Sequence, residues 1–560
     1  MPIVSITPDG KVTREKFGET AITVRYLQQK RAVRVVMIPK REEFVWNGMQ
    51  PDNFIDEVIF AKLKTLRVNP SPVCDDSTFL RRASLDLLGI PPTAQEAKQF
   101  VYDSSPGKRE RLIDRLLERP QFADRWALLW SDLLRNEEKT LDPKGVRNFH
   151  AWLRSSFSEN KPFDQLVREL ISARGSTYQN PPSNYYRAMR DPVMRAESTA
   201  QLFLGVRLQC AKCHNHPFDR WTQDDYYSWT NFFSGIDYRV LSNNRYDDND
   251  KHQFDGEQLV VFNRKLDVKH PETGEAMQPS VLGNQPVEIE NPSRRLEKLA
   301  EWVTSSENRR FRESQANRIW SQLMGTGIVD PIDDFRDTNP ASHPGLLTRL
   351  GQEFAGSGFD LKSLLRLIMN SKTYQLSSQP TEENSAQGRN FAYAKNERLS
   401  AEALLDAFSV ALQTDVKFTN QPAGLRAGQM PGVRSLETRY QRPSKGDQFL
   451  ALFGKPPRLQ SCECERSDET TLKQAFQLLS GELLQDLIQR DDNVLDRVMR
   501  AESEAGPQIK AVYWQLLSRP PGDEELTRMT EYLARQKSRR RGLEDIAWAL
   551  LTSNEFLLRH

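Results

Sequence analysis

The chain has 560 residues, with 78 Lys plus Arg against 76 Asp plus Glu, a formal charge of +2. That balance gives no push toward nucleic acid or an anionic membrane as partner. Charged residues at 28% and aromatics at 9% mark a globular chain rather than a disordered one, and the length allows three or four domains. No apolar run is long enough to span a bilayer.

Residues 1–45 read as strands: "VSITPDGKVT" turns at Pro8-Asp9-Gly10, and "ETAITVRYLQQKRAVRVVMIP" alternates apolar and polar. So few strands cannot close a sandwich; docking on the helices that follow is the other use for them. From Pro51 the period becomes helical. "NFIDEVIFAKLKTL" puts Ile55, Val58, Ile59, Leu63 and Leu66 on one face. A second helix ends at Gly89 and two prolines, and Thr93 with Glu96 forms a capping box for a third. Helices recur to about residue 235. Residues 236–290 read as a loop and β-hairpin insertion with a turn at Pro271–Gly274. From 291 to 560 the chain is helical again, interrupted by a turn-rich stretch near 420–460. The fold expected is mainly α: a helical domain over 50–235, the insertion, and a C-terminal helical domain. "LLERPQF", "IMNSKTY" and "LLTSNEF" share one spacing, an aliphatic pair with Phe or Tyr six residues after its first member. They read as a reused helix–turn–helix unit with an aromatic plug.

Of five cysteines, four are paired in sequence: Cys210 with Cys213 and Cys462 with Cys464; Cys74 reads as a buried, inert thiol. "CAKCH" offers two thiols three positions apart, the spacing that takes the two vinyl groups of a c-type haem, with His214 as proximal iron ligand. Distal candidates are Met194, Met277, His270 and His343, none selected by spacing, so a five-coordinate haem is also allowed. The same residues offer a second reading, a zinc-type tetrahedral site drawn from Cys210, Cys213, His214 or His216, Cys462 and Cys464. A redox dithiol is a third. Cys462 and Cys464, one residue apart, point to opposite sides if extended, which argues against a bond between them. Weaker candidates are Asp333, Asp334 and His343 in "VDPIDDFRDTNPASHP", where paired carboxylates beside a His suit a cation or acid–base work. The competing reading is a loop that satisfies backbone groups before a helix starts at Pro344. "YDDNDKHQFDG" lacks EF-hand spacing and reads as a solvated loop. The basic run Arg535–Gly542 reads as a helix face and turn. No phosphate-cradling Gly loop, nucleophile elbow or H-E-x-x-H is present.

"DLLGIPPTAQEA", "LIDRLLERPQFADRWALLWSDLL" and "MRAESTAQLFLGVRLQCAKCHNHPFDRWTQDDYY" resemble the planctomycete-specific cytochrome-type domain, domain-of-unknown-function family 1549. "NRIWSQLMGTGIVDPIDDFRDTNPASHPGLL", "FGKPPRLQSCECERSDETTLKQAFQLL" and "LLSRPPGDEELTRMTEYL" resemble its usual C-terminal partner, family 1553. Residues 1–45 resemble the last strands of a bacterial Ig-like domain. The resemblance implies an exported protein, periplasmic or at the cell surface, with haem c at Cys210, Cys213 and His214. It also implies a redox partner protein or an extracellular polysaccharide-processing system as context. No signal peptide is visible at the start of the sequence, which leaves the cytoplasm open. Three functions stand at this point: an extracytoplasmic haem c protein in electron transfer or redox support; a zinc-type site joining two helical domains, structural or hydrolytic; and a cell-surface interaction scaffold without cofactor.

Overall fold

Helix boundaries fall where the capping residues place them. Phe54–Leu66 begins behind Asn53, whose side chain accepts from Ile55 N, and buries Ile55, Ile59 and Leu63. Asp76–Leu88 ends at Gly89 in the left-handed region, and the Thr93–Glu96 capping box opens Ala94–Tyr102. This computed structural model describes every residue except 1, 28, 245–254, 264–266, 284, 288, 290, 434–441 and 467–469. The polar stretch read as a solvated loop lies mostly outside the described residues.

The recurring aromatic spacing corresponds to one local structure used three times. Lys108–Leu117 is followed by Pro120–Leu133, Leu361–Met369 by Lys372–Gln375, and Arg539–Leu551 by Asn554–Leu557. Each pair is separated by two residues. The aromatics Phe122, Tyr374 and Phe556 are all buried, with ring neighbours Trp126, Phe79 and Phe408. Each buried ring contributes about 1.5–3 kcal/mol.

Packing divides the molecule into two hydrophobic cores. One runs from Phe54 to Ala392 and also takes in Trp514; the other gathers Leu399 to Phe556 with Leu85. The helix Asp76–Leu88 serves both, since Leu85 belongs to the second core while Phe79, Leu80 and Leu87 belong to the first. The chain end is tied to the same helix. Leu558–Arg559 pairs with Glu397–Arg398, Arg559 binds both oxygens of Asp86, and Arg81 and Arg82 donate to Phe556 and His560 carbonyls. These buried guanidiniums satisfy carbonyls that would otherwise be orphaned at a helix end.

The insertion forms a small antiparallel sheet, Gly175–Ser176 against Gln258–Phe262 against Ile236–Val240. The expected turn is present: Gly274 N donates to His270 O, and Lys269 bridges Ala276. The N-terminal strands make two separate two-stranded sheets, Val4–Ile6 with Val12–Arg14 and Gly18–Tyr26 with Gln29–Met37. Neither closes a sandwich. The longer hairpin docks on the helical body: Lys30 Nζ donates to the carbonyls of His216 at 2.7 Å and Asp219 at 3.0 Å. Arg34 donates to Ala341 and Ser342 carbonyls and pairs with Glu19. Among the described residues no helix is long and apolar enough to cross a membrane.

Candidate functional site

The Cys-Ala-Lys-Cys-His stretch follows the helix Pro192–Leu204, which stops at Gly205 with φ +65°. A side chain there would place Cβ 2.5 Å from the Phe335 ring, so glycine is required on both counts. Val206 and Leu208 then plunge into the core, and Gln209–Lys212 makes one 3₁₀ turn with only Ala211 facing inward. With Leu208 and Ala211 as anchors, Cys210, Cys213 and His214 face solvent, and both cysteines are free thiols. The Lys212 carbonyl is fixed by Tyr227 Oη at 3.0 Å and Gln223 Nε2 at 3.2 Å. His214 Nδ1 lies 2.9 Å from the Asn215 carbonyl. That contact selects the tautomer with hydrogen on Nδ1 and leaves the Nε2 lone pair free to ligate.

His216 does not share that freedom. It is buried, its Nδ1 accepts from Phe218 N at 3.1 Å, and its backbone pairs with Trp221. Burial, partly opposed by Asp219, lowers its pKa. It is a loop-forming imidazole held by its own turn.

Cys462 and Cys464 are bonded to each other, contrary to the expectation from an extended chain. The backbone curls through the 3₁₀ turn Glu463–Glu465 and brings the two Cα atoms to 5.2 Å, inside the range a disulfide needs. This removes both sulfurs as thiolate ligands and corrects the zinc-type set that included them. Among the described residues no group of three His, Cys, Asp or Glu is placed to hold a metal ion. Cys74 is buried and burial raises its thiol pKa, as an inert core cysteine requires.

The weaker candidates, Asp333, Asp334 and His343, are held by neighbouring side chains. Asp333 accepts from Gln201 Nε2 at 2.6 Å and pairs with Arg207, while Asp334 pairs with Arg336 at 3.5 Å. His343 is buried with its ring 5.4 Å from Phe391, and burial, with Lys62 and Arg34 nearby, holds it well below the usual imidazole range. The helix Pro344–Gly356 starts where the prolines place it. Of the other distal candidates, Met194 Sδ takes an Arg135 contact, and the Met277 backbone is tied to Val268 and Asn231. His270 is on the thiol side: its ring lies 5.8 Å from Tyr227, whose hydroxyl holds the thiol turn and whose phenol is raised by burial and by Cys213. The basic run belongs to the helix Arg539–Leu551, where Arg540 pairs with Asp496 and Glu544.

A second concave site escaped the sequence reading. A cavity of about 680 Å³ opens between the helix Pro120–Leu133 and the segments around 318–333, 395–403 and 456–466, and the Cys462–Cys464 disulfide forms part of its wall. Beneath that wall, Arg466 joins the two cores: it binds Asp132 at 2.7 Å and Glu402 at 2.8 Å, and Asp132 also takes Arg458 at 2.7 Å. Burial alone would raise the Glu402 carboxyl, but Arg466 and Lys455 outweigh it and hold the group below the usual range. The readable signal was weak: "FADRWALLWSDLL" carries Asp124, Arg125 and Asp132 on a helix otherwise apolar nearly all round, so some charge there must be buried.

Residues 54–238 match the family model PSCyt2, described as a protein of unknown function (DUF1549). Residues 294–533 match PSD1, described as a protein of unknown function (DUF1553). No curated protein and no solved structure matches the chain.

Proposed function

Because the chain belongs to PSCyt2 followed by PSD1, planctomycete-specific cytochrome-type families, we propose that Cys210 and Cys213 carry a covalently attached c-type haem with His214 as proximal iron ligand. The observation that supports this most is the pair of free, solvent-facing thiols beside an imidazole whose Nδ1 is already committed to a carbonyl. A haem-binding turn needs these features together: sulfurs open to the two vinyl carbons, and Nε2 free with its ring orientation fixed. When bound, the haem would supply one-electron chemistry. The protein's part is to hold the turn rigid through Leu208, Ala211 and the Tyr227 bond to Lys212 O, and to set His214 by the Asn215 carbonyl.

The role that follows is electron transfer or redox support outside the cytoplasm. The Cys462–Cys464 disulfide supports that location, since such bonds persist in oxidising compartments.

The test is co-expression of the full chain with a haem c maturation system. The wild type is expected to retain a Soret band after acid–acetone extraction, and Cys210→Ser/Cys213→Ser to lose it. His214→Ala is expected to keep the covalent band with an altered ligand-field spectrum. Equal absorbance from wild type and the double serine variant would end the proposal.

A further inference from the structure

The Cys462–Cys464 bond joins cysteines only two positions apart. What a disulfide adds to stability grows with the loop it closes, so this bond stands at the bottom of that scale. Nor is it needed as a tether. Arg458 and Arg466 flank it in sequence and both bind Asp132, which fixes the two ends of the segment to the helix Pro120–Leu133. Between those ends Leu459 N donates to Glu465 Oε1 at 2.7 Å and Arg466 N to Glu463 O at 3.2 Å. The turn is thus closed by hydrogen bonds of its own, and it holds the two cysteines together whether or not they are bonded.

The two halves of the bond are unequally placed. Cys464 is exposed and Cys462 is buried, and both line the cavity of about 680 Å³. Access decides which sulfur of a disulfide is attacked, so a thiolate arriving from solvent meets Cys464 and the sulfur that leaves is that of Cys462. Glu463, between them, is paired with Arg318, and burial raises the carboxyl of Glu465 on the far side. Both effects reduce the negative charge an approaching thiolate has to meet. Gln460 Oε1 lies 3.8 Å from Cys462 Sγ. While the sulfurs are bonded it has no hydrogen to accept there; once the bond is cleaved it is an acceptor for the new thiol. Exposed disulfides that stabilise little are the labile and catalytic ones.

We propose that Cys462–Cys464 is a thiol–disulfide exchange site that oxidises a dithiol entering through the cavity. One thiolate of the substrate attacks Cys464 Sγ. The Cys462–Cys464 bond breaks, its electron pair leaves on Cys462 Sγ, which takes up a proton, and the substrate is bonded to Cys464. The second thiolate of the substrate then attacks the substrate sulfur of that mixed disulfide and releases Cys464, which is protonated in turn. The substrate loses two electrons and two protons and leaves as a disulfide; Cys462 and Cys464 remain as thiols. No step uses Cys210, Cys213 or His214, so this proposal and the haem proposal fail separately.

The test uses dithiothreitol as the probe dithiol on the folded full chain, quenched with acid at timed intervals and alkylated after denaturation. Trypsin cleavage after Arg458 and Arg466 releases one peptide, Leu459–Arg466, that carries Cys462 and Cys464 and no other cysteine. Its mass should show two thiols appearing at a rate proportional to the dithiothreitol concentration. That rate should lie within about tenfold of the rate for the same oxidised peptide free in solution, as an accessible bond requires. Oxidised glutathione should restore the bond. With reduced glutathione, a monothiol, the trapped mixed disulfide should map to Cys464. The reduced chain should melt within about 3 °C of the oxidised one, because so short a loop adds little stability. A rate independent of dithiothreitol and set by unfolding, or one below that tenfold range, would overturn the proposal. So would a glutathione adduct on Cys462, or collapse of the fold on reduction.

Discussion

Arg466→Met is the sharpest probe of how the two cores are held together. Arg466 bridges Asp132 on the helix Pro120–Leu133 and Glu402 on the helix Ala401–Leu412, and Glu402 is fully buried. Removing the guanidinium leaves Asp132 with Arg458, so the main loss is at Glu402. A buried carboxylate stripped of its direct partner costs about 3–5 kcal/mol, and Lys455, which also favours the charged form of Glu402, keeps the loss toward the lower end of that range. The sign with pH follows from the direction of the shift. Glu402 is held below its unfolded value, so the stabilisation is present above the unfolded pKa of about 4.3 and is lost as pH falls through the folded value. Wild type and Arg466→Met should therefore differ most near pH 7 and less near pH 4, where Glu402 in the variant is protonated, while the wild type keeps its stabilisation until pH falls toward about 2. Urea denaturation followed by tryptophan fluorescence at both pH values reads the difference. The Glu402→Gln/Arg466→Met double variant should recover part of the loss, with a coupling of about 1 kcal/mol or more. A deficit under about 1 kcal/mol at pH 7, or one unchanged at pH 4, would refute the assignment of Arg466 as the buried bridge.

Further expectations concern the thiol turn and the hairpin. In haem-free protein Cys210 and Cys213 should react rapidly with a disulfide reagent while Cys74 reacts only on unfolding; fast reaction of three thiols would contradict the burial of Cys74. Gly205→Ala should lower stability by about 1–3 kcal/mol, from the left-handed backbone and the Phe335 contact, and should raise amide exchange across Gln209–Lys212. An unchanged melting temperature would remove the reason given for glycine. Lys30→Ala should speed hydrogen exchange in the hairpin and in 216–219 without unfolding the helical body, because its two bonds are to that loop alone.

Much of the architecture was legible because it depends on local chemistry. Asn53, Thr93 and Gly89 mark helix ends by satisfying backbone groups, and they do so in any tertiary context. The aromatic spacing of "LLERPQF", "IMNSKTY" and "LLTSNEF" was legible for the same reason: a short break between helices fixes where the next side chain can be buried. Cys210 and Cys213 stood out because cysteine is scarce, and Ala211 between them supplies the one inward anchor the turn needs. The Cys462–Cys464 bond was misread because an extended backbone was assumed where the chain turns. The cavity was invisible for a different reason. Arg125, Arg466, Asp132 and Glu402 are ordinary helix residues in sequence, and only long-range packing decides which of them leave water. Asp333 and Asp334, for which the sequence offered both a chemical and a loop-forming reading, pair with Arg207 and Arg336.

The central claim rests on two sulfurs, and trypsin offers a direct way to read them. Cleavage after Arg207, Lys212 and Arg220 separates Cys210 from Cys213 on two peptides, with Lys212 exposed to the protease. In protein matured with haem c, mass spectrometry should find those two peptides joined through one haem. Two separate peptides with free thiols, or two joined by a bare disulfide, would contradict the account.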